Sequence, residues 1–224
     1  MVKHRRIKVI TGHYGSGKTE FSINYAVKLA NEGKKVALVD LDVVNLYFRS
    51  REKEKLLTEL GIKVISSSVK ASAVDIPAIS AEVYGPLEDE SFEAVLDVGG
   101  DPAGARVLGR YTPYLTEGNY DMYYVLNGNR PDTSTVEKAI GYLHAIEGTA
   151  RLKCTGIINN THMLKSTKVE DVLKGQKLAE EVSNKLDIPI KYIVALEDVA
   201  RQLPTNLVGE VFPIKLYMRE DWML

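Results

Sequence analysis

What this 224-residue sequence lacks narrows the field first. It has one cysteine, Cys154, so it can build neither a disulfide framework nor a Cys-x-x-Cys metal pair. Its four histidines are scattered without metal-ligand spacing. Neither sign of charge dominates: 29 Lys plus Arg stand against 30 Asp plus Glu, so no long-range field favours nucleic acid or an anionic membrane surface. The basic run Lys3-His4-Arg5-Arg6 is short and reads as a solvated lead-in to a strand. No apolar run approaches the roughly 18 residues that argue for a spanning helix. No signal-peptide pattern opens the chain, and the apolar residues of 212–224 are interrupted by Pro213 and by charges, which reads as a closing strand and tail. Repeats, low-complexity stretches and linkers are likewise missing. The expectation is a cytoplasmic protein whose residues 1–224 form one folded unit.

What is present is an alternation of strands and helices. Apolar, β-branched runs predict strands at 7–11, 36–40, 63–66, 94–98, 122–126, 155–159 and 190–194. Helical spacing predicts helices at 18–31, 50–60, 103–115, 133–147 and 169–186, with Gly33 and Gly61 where helix-ending glycines belong. Such alternation implies an α/β fold with a doubly wound, mostly parallel sheet flanked by helices in three layers. Ligands of such sheets sit at the carboxyl ends of the strands. The stretch 67–89, with Pro77, Gly85 and Pro86, is longer than a usual connection and is expected to be a functional loop or to hold a short helix.

Chemistry concentrates at three strand ends. Residues 12–19 read Gly12-His13-Tyr14-Gly15-Ser16-Gly17-Lys18-Thr19, a complete G-x-x-x-x-G-K-[ST] loop between a strand and a helix. Its glycines let backbone N–H groups converge on phosphate oxygens, Lys18 brings a charge to the β/γ-phosphates and Thr19 a hydroxyl to Mg²⁺. The second strand ends Asp40-Leu41-Asp42, two carboxylates pointing the same way. One is suited to hold Mg²⁺ through its water, the other to position or deprotonate an attacking water. The fourth strand ends Asp97-Val98-Gly99-Gly100-Asp101. Asp97 can reach Mg²⁺ from the strand tip, Gly100 lets backbone approach the γ-phosphate, and Asp101 is a further candidate to orient water.

Together the three segments resemble the Min/Par-type ATPases, the branch of phosphate-loop proteins that includes the nitrogenase iron protein and the carbon monoxide dehydrogenase maturation ATPases. The likeness follows order and spacing over roughly residues 5–200. It implies the phosphate-loop NTPase fold, ATP and Mg²⁺ as ligands, slow hydrolysis, a homodimer that responds to nucleotide, and a protein client in maturation or regulation. Thr19, Asp40 and Asp97 then serve the metal. Lys18, Asp42 and, as second choice, Asp101 serve catalysis.

Two departures stand out. The family's signature lysine, which reaches a dimer partner's nucleotide, is replaced here by His13; Arg49, Arg51, Arg106 and Arg110 are alternative sources of that charge. Cluster-holding cysteines have no counterpart, since Gly104 stands where one would fall and Cys154 reads as a small buried residue.

For the base, Asn184-Lys185-Leu186-Asp187 matches a guanine-reading N-K-x-D, but it closes a helix instead of following a strand, which puts it at the wrong sheet edge. The resemblance instead implies that Asn160, after the strand 155–159, pairs with adenine through its donor and acceptor, while Leu196 and its neighbours Glu197 and Asp198 close over the base. At 126–133 Asp132 or Thr133 is expected to cap the following helix, with Arg130 facing the site. Two other functions stay open on the same residues: an ATP-dependent small-molecule kinase or ligase whose acceptor pocket uses 67–89, and a nucleotide-binding module without turnover.

Overall fold

The structure, a computed structural model, describes residues 5–42, 53–66, 68–71, 74–77 and 81–218. In chain order its elements are β1 (Ile7–Gly12), α1 (Lys18–Asn31), β2 (Lys35–Asp40), α2 (Glu54–Glu59), β3 (Ile62–Ser66), β4 (Ser68–Ala71), β5 (Val74–Pro77), α3 (Tyr84–Glu88), β6 (Phe92–Asp97) and α4 (Pro102–Ala105). There follow β7 (Tyr120–Leu126), α5 (Val136–Ala150), β8 (Gly156–Asn159), α6 (Val169–Leu186), β9 (Ile190–Leu196), α7 (Glu197–Ala200) and β10 (Glu210–Ile214). Among the described residues, eight strands form one sheet in the order β10-β9-β8-β7-β1-β6-β2-β3. Every pairing in it is parallel.

The reason for the layers is visible in the strands. All six residues of β1 are buried, as a strand covered on both faces requires. One face packs Val9, Leu96 and Tyr124 against Ala139 and Leu143 of α5 and Ala179 and Val182 of α6. The other packs Ile10, Val95 and Val125 against Phe21, Ile23 and Ala26 of α1 and Leu57 of α2. The expected three-layer α/β/α fold is the observed one.

The topology also places the site. β1 lies between β6 and β7, where the chain changes direction across the sheet, and this reversal opens a crevice at the carboxyl edge. Register aligns Ile10 with Asp97 and Asp97 with Asp40, so β1, β6 and β2 deliver their ends side by side.

Helices α1 and α6 have the bounds that apolar periodicity predicts. The helix expected at 103–115 instead breaks into the four-residue α4 and a 3₁₀ run, Arg106–Tyr111. Gly104 and Gly109 weaken it and Pro113 forbids its continuation. The helix expected at 133–147 starts later, at Val136, because Thr135 is its cap, its side chain accepting from Lys138 N. Thr133 Oγ1 donates to Asn127 O and Asp132 reaches His13, so neither caps. The stretch 67–89 holds the antiparallel pair β4–β5, a 3₁₀ turn and the short helix α3. Arg49 and Arg51, the start of the helix expected at 50–60, and the tail beyond 218 lie outside the described residues.

At the amino edge, opposite the crevice, Asp121 accepts from Arg5 Nη1 at 2.9 Å and from buried Lys8 Nζ at 3.0 Å. Burial works to raise the Asp121 carboxyl, but the hydrogen bond and charge of Lys8, then Arg5 and Thr155, hold it below the usual range. A depressed carboxylate contributes stability that is present above its unfolded value near 4 and lost as pH falls through the folded value. Asp121→Asn strands the buried Lys8 charge and is expected to destabilise the fold by about 2–3 kcal/mol at pH 7. Melts of both proteins should converge as pH falls through the folded value of Asp121; an equal difference at every pH would contradict the assignment.

Candidate functional site

The phosphate-type loop leaves β1 at Gly12 and closes on itself through Ser16 N donating to His13 O at 3.1 Å. Gly17 precedes α1 with φ 86° and ψ 24°, a left-handed conformation that side chains resist. No side chain caps α1, so its first N–H groups face outward as an anion site. A Cβ on Gly17 would lie 2.3 Å from Asn160 Nδ2. That amide donates to Ser16 O at 2.7 Å, so Asn160, though on the cavity wall, braces the loop from behind. One of the two amide hydrogens of the group expected to read adenine is thereby engaged.

Lys18 is buried, and its Nζ donates to His13 O at 3.2 Å. Burial lowers its pKa, opposed by the charges of Asp97, Asp42 and Asp101. Asp97, also buried, is pushed up to about 6, first by burial; the Thr19 hydroxyl and Lys18 oppose this and Asp42 adds to it. Its Oδ1 accepts from Ser22 Oγ at 3.3 Å. Asp40 and Asp42 are buried beside it, Asp42 N donating to Asp40 Oδ1 at 3.0 Å and Leu41 N to Asp97 O at 2.8 Å. The predicted Lys18, Thr19, Asp42 and Asp97 are thus brought together. A hard divalent cation fits the Thr19 and Asp97 oxygens, since positive charge beside Asp97 reverses the effect of burial.

The segment after β6 touches the loop directly. A Cβ on Gly100 would lie 2.7 Å from Lys18 Nζ and 2.8 Å from Tyr14 Cα, so only glycine fits without displacing backbone. Gly100 O accepts from Tyr142 OH of α5 at 2.5 Å. Asp101 caps α4, one oxygen of the carboxylate expected to orient water accepting from Gly104 N.

A cavity of about 340 Å³ adjoins these groups. Gly15, Gly17, Lys18, Thr19, Asp42 and Arg130 line its polar part, Tyr14 stands exposed beside them, and Leu164, Val194, Leu196, Ile214, Leu216 and Met218 line an apolar part. Leu196, expected to close over the base, is on this wall.

His13 is not: its Nε2 stands 3.2 Å from Asp132 Oδ2, its Nδ1 is 2.6 Å from Tyr14 O, and its ring meets Tyr142 edge-on at 4.8 Å. Its side chain is engaged within its own chain. Arg106 and Arg110 are exposed on the 3₁₀ run. Among the described residues Arg130 is the arginine on the wall, its Nε donating to Gly15 O at 2.8 Å. The sequence expected it to face the site, and it lies on the cavity wall. The wall of 214–218 went unforeseen, though its alternation of apolar residues was a signal. The N-K-x-D match ends α6, with Asp187 as its left-handed cap before β9, at the edge away from the cavity.

A family model described as the CobQ/CobB/MinD/ParA nucleotide binding domain matches residues 7–204, and the chain belongs to that family. No curated protein matches its sequence. Solved structures of similar fold include the cell division protein FtsY of Thermotoga maritima, 22% identical over 83% of this chain and 59% of that one, TM-score 0.54. FtsY of Mycoplasma mycoides is 15% identical over 85% and 60%, TM-score 0.57. The signal recognition particle receptor FtsY of Elizabethkingia anophelis, in complex with GDP, is 16% identical over 85% and 57%, TM-score 0.52. The chain spans about three-fifths of the length of these structures. Among its described residues no helix is long and apolar enough to cross a membrane.

Gly100→Ala should displace Tyr14 and Lys18, destabilising the protein by about 1–3 kcal/mol and weakening triphosphate binding. Gly148→Ala, inside α5 with open space around it, should stabilise by about 0.5–1 kcal/mol. Thermal melts and nucleotide titration check both; equal effects would refute the close contact.

Proposed function

We propose that this member of the CobQ/CobB/MinD/ParA nucleotide-binding family is a slow, Mg²⁺-dependent ATPase of the cytoplasm that works as a nucleotide-driven dimer switch, its 224 residues acting as one nucleotide-binding unit. The observation that carries the reading is the convergence of Lys18, Thr19, Asp42 and Asp97 on the loop, with Gly100 in contact with that same loop. Backbone N–H groups of Gly15 and Gly17 and of the start of α1 hold phosphate oxygens, and Lys18 neutralises charge on the β/γ-phosphates. Thr19 and Asp97, with Asp40 through water, would hold Mg²⁺, which when bound neutralises phosphate charge. Asp42, on the cavity wall, positions the attacking water. Catalysis on this reading is alignment plus charge neutralisation.

The switch follows from the Gly100 contact. A γ-phosphate arriving beside Lys18 bears on Gly100, and Gly100 is tied to α5 through Tyr142. Loss of that phosphate relaxes a segment reaching from the loop to the α5 surface. Arg130 supplies positive charge to the cavity from its own chain, while His13 is held by Asp132. ATP is favoured over GTP because the guanine-type motif lies at the far edge. The FtsY structure that holds GDP carries the fold at 16% identity and not the base. The client, a maturation or regulatory protein, would read the dimer state.

Purified protein should release phosphate from Mg-ATP with no acceptor present. Lys18→Ala should weaken ATP binding about 10–100-fold. Asp42→Asn should cut turnover about 100-fold with near-normal binding, and its ATP complex should sediment as a dimer. Phosphate transfer only to an added metabolite would establish a kinase instead. ATP bound without release, unchanged in Asp42→Asn, would establish a binding module.

A further inference from the structure

Beyond β10, residues 215–218 have no strand partner in the sheet, yet their backbone is held at both ends by side chains of α1. Lys215 N donates to Asn24 Oδ1 at 2.9 Å, and Asn24 Nδ2 donates back to Lys215 O at 2.9 Å. One turn earlier on α1, the Glu20 carboxylate accepts from Tyr217 N through one oxygen and from Met218 N at 3.2 Å through the other. Asn24 is itself fixed by donating to Glu20 O at 2.8 Å. These bonds span nearly the whole chain. They do what a neighbouring strand would do: they satisfy backbone groups and fix which way the side chains point.

The direction fixed is toward the cavity. Ile214, Leu216 and Met218 line it, and Ile214 and Met218 also pack into the core with Phe21 and Tyr25. Leu196, Val194 and Leu164 continue the same apolar surface. The Thr167 hydroxyl, also on the wall, donates to Leu164 O at 2.5 Å and accepts from Met163 N at 2.8 Å. A wall of branched aliphatic side chains next to a phosphate-type loop suits the flat face of a heteroaromatic base.

We propose that residues 214–218 are a strap forming the base-side wall of the nucleotide site, and that Glu20 and Asn24 are the positioning residues that hold it there. The inference rests on the nucleotide reading above and adds a coupling to it. Glu20 follows Thr19 directly, so one turn of α1 carries both the phosphate end and the clamp on the base end. Nucleotide and phosphate alone therefore see different parts of the same helix.

Calorimetric titration of the full chain with Mg-ATP and with Mg-tripolyphosphate separates the two. The double variant Glu20→Ala, Asn24→Ala should bind ATP about tenfold more weakly and tripolyphosphate within about twofold of wild type. Leu216→Ser, which leaves the clamp intact, should show the same ATP-only loss and guards against misfolding of the double variant. Unchanged ATP affinity in both would overturn the strap. Equal weakening of both ligands would overturn it too, since Glu20 and Asn24 would then act through the loop. A wild-type protein that binds neither ligand would instead remove the nucleotide reading itself.

Discussion

The burial of the Lys18 charge is the constraint on which the site depends. Taking an ammonium group out of water costs several kcal/mol unless opposite charge stands close by. Here that charge comes from strand ends belonging to different parts of the chain: Asp42 after β2, Asp97 at the tip of β6 and Asp101 beyond it. Asp97 has the mirror-image problem, because its own burial raises it toward about 6 and Lys18 is among the groups that restrain it. Each group's charge opposes the effect of burial on the other. This explains why register matters, because a one-residue slip of β6 would turn Asp97 to the other face of the sheet. It also explains why the next segment begins with two glycines: Gly100 lies against Lys18 and Tyr14 where no side chain fits.

The same balance prepares a change of partners. A triphosphate offers Lys18 more negative charge than Asp97 does, and a cation offers Asp97 more positive charge than Lys18 does. On the proposed reading, nucleotide and metal arriving together would relieve both buried groups, whereas either alone would leave one of them less well matched. α1 then transmits the effect. Its first residue is Lys18, and within two turns come Thr19, Ser22 against Asp97, and Glu20 and Asn24 against the strand-like segment after β10. α1 begins at the loop and reaches each of these separate pieces of chain.

How much of this could be read from the sequence follows from distance along the chain. The loop at 12–19, the carboxylates at 40, 42 and 97, and the bounds of α1 and α6 are local signals, each carried by adjacent residues or by one periodicity. What the sequence does not show are contacts between distant residues or conflicts between neighbours. Asn160 gives one of its two amide hydrogens to Ser16 O, 144 positions away, which no local pattern announces. One oxygen of Asp101 accepts from Gly104 N. Arg130, expected to face the site, is anchored by Gly15 O, 115 positions away. The stretch 103–115 has a helix-like apolar pattern, but Gly104, Gly109 and Pro113 override it.

His13 shows most clearly what the three-dimensional context changes. At the loop's second position the resemblance leads one to look for a cation that leaves the subunit. The structure turns the side chain inward, between Asp132 and the Tyr142 ring, and Tyr142 in turn holds Gly100. The residue thereby joins the loop, the turn before α5 and the segment after β6 into one packed unit. A flexible lysine at this position could leave that unit without breaking it; an imidazole wedged between an acid and a ring cannot leave without loosening both. Among the described residues Lys18 and Arg130 both bring positive charge to the cavity wall, and Arg130 is anchored on the loop carbonyl at Gly15. On the proposed reading, that much of the positive charge at the phosphates would come from within one chain. On that logic, association of two chains would regulate what the nucleotide state does to a partner and would not be needed to complete the catalytic charge.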